Sequence, residues 1–168
     1  MRRDQYGGFL RRLFASMVDD AVLHLTAFAA LVLILIPAGI TGIISLEDMD
    51  IAEAGDSILL PYYAMFIGMN AFYYTWFHGT TGQTLGKKLF GVRVLKTDGS
   101  PAGLGIAFLR WAGYLVSGIP FFLGFLWVII DPKRQGWHDK IAGTIVVNVK
   151  KYGTLQEEYE PKYGLTNI

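Results

Sequence analysis

Arg12 and Asp19 stand seven residues apart at the opening of a long apolar run. If that run is helical, 100° per residue brings them within ~20° of one another, with Asp19 about 10 Å deeper along the axis. Asp20 and His24, four apart, share an adjacent face. A charged group at membrane depth costs on the order of 2.5–3.5 kcal/mol at a helix centre, so it normally faces protein, water or a partner charge. Two neighbouring acids are what lipid burial alone would remove. The chemistry open to such a set is capture and release of a proton or cation, because burial raises a carboxyl pKa and a nearby guanidinium lowers it. The alternative is architectural: Arg12 anchors at the headgroups, and Asp19 pairs with a basic residue such as Arg110. His24 is either a hydrogen-bonded helix residue or a relay, and Asn70 either an interhelical hydrogen bonder or an ion ligand. Arg110 sits within apolar sequence and needs a carboxylate, backbone carbonyls or lipid phosphate beside it. Asp131, followed by Pro132, reads as a helix stop, and Asp139 follows in Gly136-Trp137-His138-Asp139.

The elements that must position these residues are apolar and long. Hydrophobic residues make up 52% of the 168 and charged ones 17%. They fall in runs rather than at the period of a soluble helix or strand, which points to an integral membrane protein. A helix from about Leu13 to Ile36 is roughly 36 Å long and crosses a ~30 Å hydrocarbon core. Arg2 and Arg3 ahead of it resemble a signal-peptide start, but Asp19 and Asp20 interrupt the run, and its length exceeds the about 7–15 residues of a signal core. An uncleaved first span is expected. An acidic loop, Glu47 to Asp56, comes next. A second span is expected from about Ile58 to Phe77, with Tyr62, Tyr63, Tyr73, Tyr74 and Trp76 clustered at its ends as interfacial aromatics do.

Between Leu104 and Ile130 lies a third apolar region broken at Ser117-Gly118-Ile119-Pro120. It forms either one kinked span or a hairpin of two short helices. Basic residues precede the first span, follow the second (Lys87, Lys88, Arg93, Lys96) and follow the third region (Lys133, Arg134, Lys140, Lys150, Lys151), whereas the acidic loop has none. The positive-inside rule then places both termini in the cytoplasm and favours the hairpin. Val92–Leu95 and Thr144–Val149 have strand-like patterns, the first ending at an Asp98-Gly99 turn, and could pair as a small ribbon at the cytoplasmic face. The fold class expected is therefore an all-α polytopic membrane protein with two full spans, a third helical hairpin and that ribbon. Its membrane domain covers residues 1–150, and a polar tail covers 151–168.

Composition excludes several functions. A net charge of +1 without a basic patch gives no support to nucleic-acid binding. With no cysteine there is no disulfide or thiolate site. Gly82-Gln83-Thr84-Leu85-Gly86-Lys87-Lys88 resembles a phosphate loop but is one residue short between its glycines and has Lys88 where Ser or Thr belongs. His138-Asp139 lacks a second histidine at metal-ligand spacing. No cofactor, metal site or enzymatic activity is expected; His78, His138 and Asp139 are the only raw material for catalysis on the cytoplasmic side.

The ordered set Arg12-x6-Asp19, Gly82-Gln83-Thr84-Leu85-Gly86-Lys87-Lys88-Leu89-Phe90-Gly91-Val92-Arg93-Val94, Asp98-Gly99, Arg110 and Gly136-Trp137-His138-Asp139-Lys140-Ile141-Ala142-Gly143-Thr144 resembles the RDD family of bacterial membrane proteins over roughly residues 8–150. The resemblance implies a place in the bacterial cytoplasmic membrane. It matches Arg12 and Asp19 to the family's arginine and first aspartate, and Asp139, with Asp131 as the alternative, to the second. It also implies transport, with cation/proton antiport associated with some members. Two readings follow. In one, Asp19, supported by Asp20 and tuned by Arg12 and Arg110, exchanges protons for a monovalent cation within a homo-oligomer. In the other, the protein transports nothing and scaffolds or regulates a partner complex.

Overall fold

The computed structural model describes residues 1–41 and 51–153, the side chains of 51–54, 56 and 57 excepted. The chain is mostly helical. Helix α1 spans Phe9–Ile40 and α2 spans Ile51–Thr80, both longer than the sequence pattern implied. Pro37 does not end α1; it removes one N–H near the helix end, and its carbonyl accepts from Thr41 N at 2.9 Å. Residues 51–56, expected in the acidic loop, are already helical, and 42–50 lie outside the described residues. Among the described residues α1 is the one single helix long and apolar enough to cross a membrane. Its Leu25, Phe28, Leu33 and Ile34 are each at least 60% exposed, an apolar surface that water does not tolerate but lipid does.

The chain divides into two compact units. One comprises residues 19–72, the inner parts of α1 and α2. Within it His24 Nδ1 lies 2.8 Å from the Tyr62 hydroxyl, and its ring stacks on Phe66 at 4.1 Å. Asp19 is fully buried and Asp20 half-buried.

The other unit comprises residues 1–18 and 73–168 and contains the remaining elements. The short helix α3, Leu85–Leu89, is capped by the Thr84 hydroxyl, which accepts from Lys87 N at 3.2 Å. Strand β1, Val92–Lys96, pairs antiparallel with β2, Thr144–Asn148, in the register Val92↔Asn148 to Lys96↔Thr144. Tyr6 adds a bridge to Val147. Val92, Val94 and Val146 pack on one side of this ribbon, and Tyr6, Leu95, Ile145 and Val147 on the other.

Helix α4, Gly103–Gly118, turns by 112° into α5, Leu123–Leu126, and a 3-10 turn, Trp127–Ile129. Phe121 and Phe122 make that corner with φ of 50° and 60°, left-handed values rarely taken by bulky side chains. Helix α6, Trp137–Ile141, packs on α4 at Gly113, where a Cβ would meet His138 Cα at 2.9 Å. Only glycine permits that approach.

Candidate functional site

Asp139 is the third residue of α6, and its carboxylate turns back to accept from Gly136 N at 3.0 Å. This is the return half of a capping box, and it fixes the carboxylate before any long-range partner arrives. Two guanidinium groups then approach its two oxygens. Arg12 Nη1, from the first turns of α1, lies 2.6 Å from Oδ2, and Arg110 Nη1, from α4, lies 2.7 Å from Oδ1. Asp139 is fully buried, and the side chains of Arg110 and Arg12 are 2% and 11% exposed.

The cations are held in turn by neutral acceptors. Arg12 Nε donates to Gly7 O at 3.0 Å and Nη2 to Arg134 O at 2.6 Å. Arg110 Nη1 also donates to the Thr144 hydroxyl at 3.0 Å, and its Nε lies 3.4 Å from the Tyr114 hydroxyl. Thr144 opens β2, and its carbonyl accepts from Gln135 Nε2 at 2.8 Å. Three segments remote in sequence thus meet at one carboxylate. Both oxygens of the buried carboxylate are met by a cation, which is what a buried charge requires.

Burial alone would raise the Asp139 pKa. The charges of Arg110 and then Arg12, with the Gly136 N–H, outweigh it and hold the carboxyl well below the usual carboxylate range. It is therefore a permanent anion at any physiological pH. Beside it His138 is pushed the other way: burial lowers its pKa to about 3, only partly opposed by Asp139, so it is neutral. Its Nδ1 lies 3.2 Å from the Ser117 hydroxyl, which donates to Gly113 O at 2.9 Å and accepts from His138 N at 3.1 Å.

Ser117, His138 and Asp139 superficially suggest a nucleophilic triad. The geometry is against it. Ser117 is fully buried, Asp139 is already engaged by two arginines, and the His138 Nε2 to Asp139 Oδ2 distance of 3.6 Å is too long for a hydrogen bond.

Of the residues singled out from sequence, Arg12, Arg110 and Asp139 come together; Asp19, Asp20 and His24 belong to the other unit. Arg12 is not a headgroup anchor, since it is drawn inward by Asp139 and two carbonyls. Arg110 finds its carboxylate at Asp139. Asp131 is a turn-builder: Oδ2 accepts from Lys133 N and Gln135 N, and Oδ1 pairs with Lys140 at 2.5 Å. Ser117, Thr144 and Gln135 were missed. The Gly113-x3-Ser117 spacing on α4 is the sequence signal that could have pointed to a close helix approach there.

The RDD family model matches residues 6–143. The chain belongs to the RDD family.

This RDD protein is 26% identical over 158 residues to the proline-rich antigen homolog of Mycobacterium tuberculosis, the match covering 89% of this chain and 66% of that one. It thus spans just under two thirds of that relative. It is 28% identical over 145 residues to the uncharacterized protein YxaI of Bacillus subtilis (83% and 95% covered). It is also 28% identical over 153 residues to the uncharacterized membrane protein YteJ of the same organism (88% and 84% covered). No solved structure matches. With a stretch of α1 long and apolar enough to cross a membrane, the chain is an integral membrane protein.

Proposed function

We propose that this RDD protein is a non-transporting membrane component that scaffolds or regulates a partner, and that its Arg12–Asp139–Arg110 cluster is a structural clasp. One observation carries the reading. Asp139 is fully buried between two guanidinium groups, with Arg12 Nη1 and Gly136 N on one oxygen and Arg110 Nη1 on the other. Such a carboxylate neither takes up a proton nor yields to a passing cation, so the cluster is built to hold. It ties the start of α1 to α4 and to the α6–β2 segment. This unit carries Lys88, Arg93 and Lys133 exposed, and Lys140 exposed but paired with Asp131; we read them as a basic face suited to an acidic partner surface. In this reading that face is cytoplasmic, α1 and α2 both span, and the bent α4–α5 segment re-enters on the side it left. Purification from native membranes under mild detergent should bring a stoichiometric partner, and the protein alone in proteoliposomes should move no sodium or potassium under a pH gradient.

A second reading keeps exchange of protons for a monovalent cation, through Asp19. Its support is that Asp19 is fully buried two turns along α1 from Arg12, with the His24–Tyr62 hydrogen bond in the same unit. One protomer has too few helices to enclose a path, so this reading needs a homo-oligomer. Cation flux that disappears in Asp19→Asn would establish it and end the scaffold proposal.

A further inference from the structure

Outside the clasp, a polar concavity lies between the N-terminal segment, the Trp127–Ile129 turn and the end of β2, with a volume of about 480 Å³. Its lining includes Arg3, Arg11, Arg134 and Lys151 and a single acid, Asp4, so it carries a net charge of +3. Lys151 is offset by Asp4 at 3.0 Å, which leaves three guanidinium groups to define the field. Arg3 and Arg11 are exposed, but two of the three side chains have fixed neighbours. Arg3 Nη2 is fixed on Ile129 O at 2.7 Å, and Arg134 Nη1 lies against Gly8, where a Cβ would come within 2.7 Å of it. Arg134 itself stands at φ 49°, with its carbonyl accepting from Arg12 and its side chain lining the cavity.

A second, independent feature points to what the cavity takes. Asn148, at the end of β2, is 7% exposed and lines the cavity, and its Oδ1 has no hydrogen-bond partner among the described residues. A buried acceptor of this kind costs stability unless a donor reaches it. A phosphodiester group by itself has no donor. A phosphodiester whose alcohol bears a hydroxyl supplies both halves, an anionic centre for the arginines and an O–H for Asn148. The remaining lining says where such a molecule comes from. Leu10 and Ile129 border the same cavity and are 62% and 51% exposed at the foot of the membrane helix, where acyl chains would run.

We propose that this cavity binds the headgroup of an anionic polyol phospholipid of the phosphatidylglycerol type. Arg134, Arg11 and Arg3 take the phosphodiester, and a headgroup hydroxyl donates to Asn148 Oδ1. The site adjoins the clasp through Arg134, whose carbonyl holds Arg12, and does not depend on which partner the protein has.

The full chain in a neutral maltoside detergent is titrated with phosphatidylglycerol, phosphatidylmethanol and phosphatidylcholine, with retained lipid read by native mass spectrometry, and with inorganic phosphate, read by calorimetry. Phosphatidylglycerol should bind ahead of phosphatidylmethanol, which has the charge but no hydroxyl, and both well ahead of phosphatidylcholine. Arg134→Gly keeps the left-handed backbone and the carbonyl that holds Arg12, and should weaken phosphatidylglycerol about fivefold, the worth of one basic residue at an anionic surface. Asn148→Ala should abolish the advantage over phosphatidylmethanol while sparing the advantage over phosphatidylcholine. Equal binding of phosphatidylglycerol and phosphatidylcholine overturns the proposal. Inorganic phosphate binding as tightly as the lipid makes the site one for a soluble anion and overturns it too. So does an equal loss in Lys88→Gln, outside the cavity, since that would mean diffuse surface charge.

Discussion

Asp139 Oδ2 and Arg12 Nη1 lie 2.6 Å apart although 127 residues of chain separate them. The contact closes the unit that contains both ends of the described chain: with it, the foot of α1 is tied to the segment that leads into the ribbon. Because Asp139 also accepts from Arg110, two buried cations share this one anion, and each arginine depends on it. Replacing it by asparagine retains the shape and the Gly136 contact but leaves two guanidinium groups uncompensated. Breaking a buried pair in this way costs about 3–5 kcal/mol, so Asp139→Asn should unfold at markedly lower temperature in detergent and accumulate poorly in membranes. An unchanged Tm would mean the cluster is not a clasp.

Two neighbours with opposite shifts contribute to the pH dependence of stability. Asp139 has a folded pKa below its unfolded value of 3.8, so its contribution is fully present above that value and is lost only as pH falls below it. His138 is neutral in the fold down to about 3 but takes up a proton near 6.5 once unfolded. The unfolded chain therefore binds the extra proton between these limits, and stability declines as pH falls through that window, by at most about 1.36 kcal/mol per pH unit. Thermal unfolding followed from pH 8 to pH 4 should show this slope in the wild type. In His138→Gln the slope between pH 6.5 and 4 should flatten; a slope that persists assigns it to another group.

Much of this was legible in the sequence, and unevenly so. The apolar run behind α1 and the two strand-like segments rest on local pattern, and local pattern is what single-chain reasoning reads well. Arg12 and Asp139 could be matched by motif, but nothing in spacing says that Arg110 meets Asp139. Asp19 offered an equally plausible carboxylate, and the choice is made by packing of α6 on α4, a long-range event. The start of α2 was misplaced because acidic residues at 53 and 56 look like loop when a helix end and a loop tip have the same composition. The cavity beside the ribbon was invisible for the same reason as Arg110's partner: its lining comes from three stretches of chain.

Gly113 and Gly105 separate packing from intrinsic helix propensity within one element. Both lie in α4, but a Cβ at Gly113 would stand 2.9 Å from His138 Cα and 3.1 Å from its Cβ, whereas at Gly105 nothing lies within 4 Å. Gly113→Ala must push α6, and with it Asp139, away from Arg110. A loss of about 1–3 kcal/mol is expected, as for overpacking elsewhere. Gly105→Ala should be neutral or stabilise by about 0.5–1 kcal/mol, since alanine gives up less backbone entropy in a helix. Matching unfolding temperatures for the two variants would show that the α4–α6 approach is looser than the geometry described.

Whether Arg12 serves as a charge or as a fork can be decided with one conservative change. Its guanidinium spends Nη1 on Asp139, Nε on Gly7 O at 3.0 Å and Nη2 on Arg134 O at 2.6 Å, so three directions are set by one plane. Lysine keeps the positive charge but presents a single ammonium, which cannot satisfy acceptors laid out in that plane. Arg12→Lys therefore preserves charge balance around Asp139 while leaving the Gly7 and Arg134 carbonyls without this donor. Each lost bond from a charged donor is worth about 1.5–3 kcal/mol. The variant should be clearly less stable than wild type, although no buried charge is orphaned. The Arg134 carbonyl has the most to lose, since that residue holds a left-handed φ of 49°, so proteolysis after Lys133 or Arg134 should quicken in Arg12→Lys before global unfolding does. If Arg12→Lys matches wild type in both unfolding temperature and cleavage rate, then only the charge at this position matters and the two carbonyl contacts contribute nothing.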